Sequence, residues 1–429
     1  MEELICTPLT AAHDGRAVAR EGGLVVFIRH ALPGDTVRAR ITRRKKTFWE
    51  AEAVEILSPS PDRISPLCRP DGSCGGCLWR ALSYEKQLSL KASRLQNALS
   101  RIAGVRLSPL PPIPARSLLH TRNKMTFHIG SAPSPFLGTL PENSHTPIRC
   151  TDCFAFDGRL APAVRAVEQA LPEIDPHGTL QKAAFRVGSS GEVSVLFCGR
   201  GAPPRIEPLT ASLAKTGVVS LAFEKENDSR FNRILWGKQG IEEELGGVRL
   251  TVSPFAFLQV NHEMAEILYA RALEVSAPLS GAVLADLCCG VGSIALAAAR
   301  RGAQVYGAQI CPEAVESARA NARQNGLFAP FAVADAGEAL QSWERQGVRF
   351  SHLLVDPPRA GLPAATVEAV LASSANRLTY VSCDPETLAR DLKLLLAGGF
   401  SLQSAQPIDL FPHTPHIETV AHLSRRNGR

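Results

Sequence analysis

Over residues 1–58 short apolar runs at 24–28 and 36–41 are interrupted by Asp14-Gly15, Gly22-Gly23 and Pro33-Gly34-Asp35. Several short strands with no helical period between them predict a small closed barrel. Over 84–101 the period lengthens to that of a helix, with Leu88, Leu90, Leu95 and Leu99 apolar and Lys86, Lys91, Arg94 and Arg101 around them. The proline-rich stretch 107–114 reads as a linker. Between 121 and 251 the pattern is mixed, with strands near 125–129, 184–187 and 193–197 and a helix over 161–171. From residue 282 buried runs alternate with amphipathic ones: strands from 283, at 304–310, 350–355 and 378–382, and helices at 294–300, 312–324, 366–372 and 386–397. Such alternation predicts a parallel twisted sheet with helices on both faces, an α/β Rossmann-like arrangement.

The resulting organisation is a β-barrel over 1–58, a central α+β domain over 59–252 and a catalytic domain over 253–429. With 45% hydrophobic and 21% charged residues the chain can bury a core. A net charge of +6 is compatible with nucleic acid without requiring it. Neither a signal pattern nor a run of 18 apolar residues is found, so a soluble cytoplasmic protein with no membrane partner is expected. Nothing in the pattern demands an obligate protein partner.

The basic cluster Arg43-Arg44-Lys45-Lys46 lies beside Phe48 and Trp49, as in a barrel that grips RNA through phosphates and stacking; a solvated loop is the alternative. The helical cations Lys86, Lys91, Arg94 and Arg101 fit either a phosphate backbone or a solvated face. Eleven cysteines in such a chain point to metal or catalysis rather than disulfides. Cys68, Cys74 and Cys77 fall within ten residues, and Cys150 or Cys153 can add a fourth thiolate. Three clustered thiols with a distant fourth favour a [4Fe–4S] centre over zinc.

Three further features sit where a parallel sheet presents its carboxyl ends, the usual place for a ligand. Asp286-x3-Gly290-x-Gly292 makes a glycine turn between strand and helix, without the third glycine of the dinucleotide fingerprint. Asp356-Pro357-Pro358-Arg359 closes another strand, and Cys383 follows 378–382. A lone cysteine most often packs as a small apolar residue, so its neighbours decide its role. Together the features resemble an S-adenosylmethionine methyltransferase.

The resemblance then narrows to the RNA uracil-C5 methyltransferases with an N-terminal TRAM barrel and an iron–sulfur cluster, most of all the bacterial 23S rRNA enzymes. It is carried by Phe27 and Leu32-Pro33-Gly34-Asp35, by Cys68, Cys74, Cys77 and Cys153, and by 253–261 ending in Gln259-Val260-Asn261. It continues through 286–293, Asp356-Pro357-Pro358-Arg359-x-Gly361, 380–385 and Phe411-Pro412-His413-Thr414-x-His416-x-Glu418. The resemblance implies that Cys383 adds to uracil C6, Glu418 removes the C5 proton and Asp356 hydrogen-bonds the flipped base. It also implies S-adenosylmethionine binding by Gln259, Asp286, Gly290, Gly292, position 309, Asp335 and Asp356, and a [4Fe–4S] cluster on Cys68, Cys74, Cys77 and Cys153.

Where the family carries a glutamate, this chain has Gln309, so weaker cofactor binding is expected unless a neighbour compensates. Phe331 and Ala332, near Asp335, read as core or as lining of the adenine pocket, core first, and an N-cap role for Asp356 stays open. Structured RNA is the expected partner, ribosomal before transfer RNA because related tRNA enzymes often lack barrel and cluster. The alternatives are a tRNA enzyme of the same mechanism, methylation of an exocyclic or amide nitrogen, or an inactive iron–sulfur RNA-binding protein.

Overall fold

The computed structural model describes residues 2–66, 68, 74–131, 134–142, 144–213 and 215–425. The first sheet is barrel-like, with the strand order Glu3–Cys6, Thr36–Arg44, Phe48–Ser58, Leu24–Arg29, Ala17–Glu21 and Thr10–Ala11. Two-residue alternation turns Val26, Ile28, Val37, Ala39 and Ala51 inward. On its surface the Arg44 guanidinium lies 4.3 Å over the Trp49 ring and Lys45 Nζ 5.1 Å over Phe48, so the predicted basic-aromatic cluster is internally stacked.

A second, seven-stranded sheet runs from the edge strand Arg233–Gly237 to Ile148–Arg149. The helix Ala161–Ile174 lays Val164, Val167 and Leu171 over it, against Phe127, Phe185 and Phe197.

The third sheet holds the predicted alternation. Counting Val283–Asp286 as first, then Gln304–Gln309, Phe331–Val333, His352–Val355, Arg377–Ser382, Phe400–Ile408 and Glu418–Arg425, the spatial order is 3-2-1-4-5-7-6. The first five run parallel, and the seventh lies antiparallel between the fifth and sixth. The order reverses direction around the first strand, which opens a crevice at the carboxyl ends.

Two segments sit differently from the sequence reading. The helix Tyr84–Arg101, assigned to the central domain, packs Leu95 and Leu99 with Leu388, Leu392 and Leu395 in the core of the third sheet. The stretch 107–114 is paired to that sheet: Leu110 N donates to Ala405 O and Ile113 N to Pro407 O, each at 2.9 Å. Prolines are tolerated there because an edge needs only some of its amides. The hairpin Ile241–Leu245 and Val248–Val252 also buries its apolar side in the third sheet's core. Among the described residues no helix is long and apolar enough to cross a membrane.

Candidate active site

Asp286 ends the first strand and Gln309 the second; Asp335, Asp356 and Cys383 follow the third, fourth and fifth. Parallel strands therefore bring five of the residues singled out from the sequence to one rim. The turn after Asp286 puts Gly290 at φ +53° and Gly292 at φ +84°, backbone that a side chain would strain. A Cβ on Gly290 would meet nothing within 4 Å, whereas one on Gly292 would stand 3.1 Å from both Ala318 Cβ and the Phe331 ring. Phe331 is thus core filling behind the turn.

Gln259 is buried in a segment clamped from the central sheet: Asn123 N donates to Val260 O at 2.7 Å, and Arg186 Nη2 to Leu258 O at 3.2 Å. Gln309 Oε1 accepts from Ile310 N at 2.7 Å. Asp335 caps Ala336–Arg345, accepting from Gly337 N at 2.8 Å. Asp356 caps no helix, since the next begins at Ala364 behind Pro363.

The fifth and seventh strands pair Ser382 with Thr419, and one further step in that antiparallel register sets Cys383 opposite Glu418. Glu418 is 3% exposed, and its Oε2 has no hydrogen-bond partner among the described residues. Burial, then the neighbouring Asp356 charge, push its pKa well above the ordinary carboxylate value, and the Arg359 guanidinium works the other way. Burial takes Asp356 up to about 7. Asp286, with Oδ2 also unpartnered, rises to about 7 for the same reason, helped by the Asp356 charge. Burial and Glu418 push the Cys383 thiol up to about 11, against the pull of Arg359. Arg359 Nη2 stands 3.3 Å from both ring nitrogens of His416, whose pKa falls to about 4 through burial and that cation. A thiol, buried acids with raised pKa values and one guanidinium in a crevice form the perturbed set expected of a catalytic centre.

Behind this rim the helix Tyr84–Arg101 holds the loop 409–417. Lys91 Nζ, fully buried, donates to Asp409 Oδ1 at 2.7 Å and Phe411 O at 3.0 Å. Tyr84 OH donates to Asp409 Oδ2 at 3.0 Å, and His413 N to Gln87 Oε1 at 2.7 Å. Arg94 is engaged by Asp384, Glu386 and Pro415 O, and Lys86 pairs with Asp62 at 3.2 Å. Lys91 and Arg94 thus form neither a phosphate-contacting nor a solvated face, because carboxylates and carbonyls from the catalytic domain take them up.

Cys68, Cys74, Cys77 and Cys153 share one neighbourhood: the other thiols push Cys68 and Cys77 up, after the larger effect of burial. Cys74 Sγ accepts from Gly76 N at 3.4 Å and Thr139 Oγ1 at 3.3 Å, and Cys153 Sγ from Ala155 N at 3.4 Å. Among the described residues, however, no three His, Cys, Asp or Glu side chains stand where they could hold a metal ion. The expected ligand shell is therefore not closed; 69–73, inside the motif, lie outside the described residues.

Residues 248–426 match the tRNA (Uracil-5-)-methyltransferase family and residues 3–54 the TRAM domain. An uncharacterized RNA methyltransferase of Halalkalibacterium halodurans is 34% identical over 436 residues, covering 97% of this chain and 95% of that protein. One of Bacillus cereus is 33% identical over 432 residues, covering 96% and 94%. The crystal structure of Pyrococcus abyssi tRNA (uracil-54, C5)-methyltransferase in complex with S-adenosyl-L-homocysteine superimposes with a TM-score of 0.77 at 26% identity, covering 98% of this chain and all of that one. With that fold, that rim of residues and these relatives, the chain belongs to the S-adenosylmethionine-dependent RNA (uracil-5-)-methyltransferase family and carries a TRAM domain.

Proposed function

We propose that this chain methylates C5 of a uridine in structured RNA, with Cys383 as nucleophile, Glu418 as general base and Asp356 orienting the ring. The observation that carries the reading is the placement of Cys383 opposite Glu418 at the buried end of two paired strands. Uracil C5 is too poor a nucleophile to take a methyl unaided. Addition of the Cys383 thiolate to C6 forms the S–C6 bond and moves the C5–C6 π electrons into an enolate, making C5 electron-rich. Arg359 favours the thiolate that this step needs. Once C5 carries the methyl, Glu418 takes the C5 proton; the C5–C6 double bond re-forms as the S–C6 bond breaks, returning the thiolate. Asp356, held protonated below about pH 7 and ionised above it, faces the same cleft and can bond the polar edge of a uracil taken out of its stack.

S-Adenosylmethionine supplies an electrophilic methyl group. Gln259, Asp286, Gly290, Gly292, Gln309, Asp335 and Asp356 would hold it, and the fit is chemical: Asp286 Oδ2 is an acceptor lacking a donor among the described residues, and Gly290 leaves open space beside the backbone.

The reading includes a [4Fe–4S] centre on Cys68, Cys74, Cys77 and Cys153, supported by the shared neighbourhood and the N–H···S bonds, and no catalytic step runs through it. Closing the shell requires the thiols to draw together. Iron and sulfide content of anaerobically prepared protein tests it; protein free of both and fully folded would remove it.

Barrel and thiols favour 23S ribosomal RNA as substrate, while the whole-chain likeness to a tRNA uracil-54 enzyme favours transfer RNA. Mapping the 5-methyluridine lost on gene deletion decides between them. The chemistry itself is tested with RNA containing 5-fluorouridine and S-adenosylmethionine. Fluorine cannot leave as a proton does, so a stable protein–RNA adduct dependent on Cys383 is expected; turnover of the RNA without an adduct would contradict the reading.

A further inference from the structure

Tyr84, Gln87, Lys91 and Arg94 lie at spacings of three, four and three, one stripe of a helix, and that stripe faces the loop before Glu418. Arg94 alone among them reaches both halves of the site. Its Nε donates to Glu386 Oε1 at 2.9 Å and its Nη2 to Asp384 Oδ2 at 3.2 Å, with a further Nη2 bond to Glu386 Oε2. Its Nη1 donates to Pro415 O at 3.3 Å. Asp384 is the residue after Cys383 and caps the helix Pro385–Ala397, accepting from Glu386 N at 3.1 Å and Thr387 N at 3.0 Å. Pro415 lies in the loop that leads into Glu418. With 11% of its side chain exposed, Arg94 cannot rely on water and is held by these partners. A planar guanidinium fork can satisfy carboxylates on one segment and a carbonyl on another at once, which an ammonium cannot.

We propose that Arg94 is a positioning residue for methyl transfer: it ties the strand end that leads to Cys383 to the loop that leads into Glu418 and so sets their separation. This rests on the reading of Cys383 and Glu418 as nucleophile and base. The two act on adjacent ring carbons, so their spacing must match one bond of the substrate. Misplacement by about 1 Å can cost about 100-fold in rate without touching affinity. The donors of Arg94 go to Asp384, Glu386 and Pro415 O, so its loss acts on turnover.

The test uses full-length Arg94→Met and Arg94→Lys enzymes on RNA from a strain lacking the gene, with 5-fluorouridine RNA to count competent molecules. For Arg94→Met, kcat falls roughly 30- to 100-fold. KM for S-adenosylmethionine and for RNA stays within about twofold, and the adduct reaches the parent's endpoint more slowly, as a displaced rather than unfolded site requires. Arg94→Lys restores part of kcat. A kcat within about threefold of the parent, or a lower adduct endpoint with KM rising in step, overturns the inference. If Arg94→Met does not fold, Arg94→Lys and Glu386→Gln carry the test, and parental kcat in both overturns it. Cys383→Ser separates the layers: an adduct formed without Cys383 sinks the underlying reading, whereas no adduct there and parental kcat in the Arg94 variants sinks only the role of Arg94.

Discussion

Cys383 and Glu418 stand across from each other one residue beyond Ser382 and Thr419, the last pair between their two strands. The relationship follows from topology, since the final strand inserts antiparallel beside the fifth and brings a residue 35 positions later back to the thiol. Two groups fixed in this way can serve neighbouring atoms of one ring. Each is also held away from its charged form, the thiol at about 11 and the acid well above its usual range, because burial desolvates them and neighbouring acids add like charge.

Arg359 opposes that tendency at Cys383, so Arg359→Gln should raise the thiol's pKa further. Alkylation of Cys383, followed by peptide mass mapping against pH, should speed up towards about pH 11 in the parent. The variant's profile should shift to higher pH and its rate at pH 8 should fall. An unshifted profile would remove Arg359 from the activation of the thiol.

Asp286 and Asp356 have native pKa values raised from 3.8 to about 7. Between about pH 4 and 7 the native state keeps protons that the unfolded chain has lost, so their contribution to stability falls as pH rises through that window and levels off above it. Asp286→Asn should therefore gain urea resistance relative to the parent from pH 5 to pH 7.5. If Asp286 holds the cationic cofactor as proposed, S-adenosylmethionine should bind the parent more tightly as pH rises from 6 to 8, with proton release visible in buffers of different ionisation heat. Binding independent of pH would contradict the assignment.

Lys91 and Asp409 form an ion pair with both side chains fully buried. Lys91→Met leaves a carboxylate without its cation, and breaking such a pair costs about 3–5 kcal/mol. Urea unfolding should show a lower midpoint with an unchanged slope. A loss under about 1 kcal/mol would mean that Tyr84 and the Phe411 amide suffice to hold Asp409.

Gln309 sits at the end of the second strand with its Oε1 engaged by Ile310 N. A hydrogen bond to a carboxylate is stronger than one to an amide by about 1 kcal/mol. Gln309→Glu should tighten S-adenosylmethionine binding about fivefold in calorimetry. Unchanged or weaker affinity would mean that a neighbour already supplies the contact.

The strand–helix alternation after residue 282 was readable because each element carries its own period; the helix Pro312–Gln324 falls where its pattern places it. Cys383, Asp356 and Asp286 were also readable, as polar residues punctuating apolar runs. The stripe Tyr84, Gln87, Lys91 and Arg94 was not legible as a clamp, since local pattern assigns charged side chains to water. Their burial is explained by pairing with residues about 290 or more positions away, among them Asp384, Asp409, His413 and Pro415. One signal was present: Lys91 and Arg94 share a helix face with Leu88 and Leu95, where a solvated cation has no place. For 107–114, proline content concealed an edge pairing that uses only two amides. The cysteine spacing brought four thiols into one neighbourhood, but spacing alone does not fix ligand distances.

The most direct test of the account is mass spectrometry of Glu418→Gln after incubation with S-adenosylmethionine and RNA containing ordinary uridine. Without the base the C5 proton cannot leave, so protein should accumulate joined through Cys383 to a uridine that already carries the transferred methyl, with turnover about 10²- to 10⁴-fold below the parent. Free 5-methyluridine released at the parental rate, or a complex that dissociates in denaturant, would contradict it.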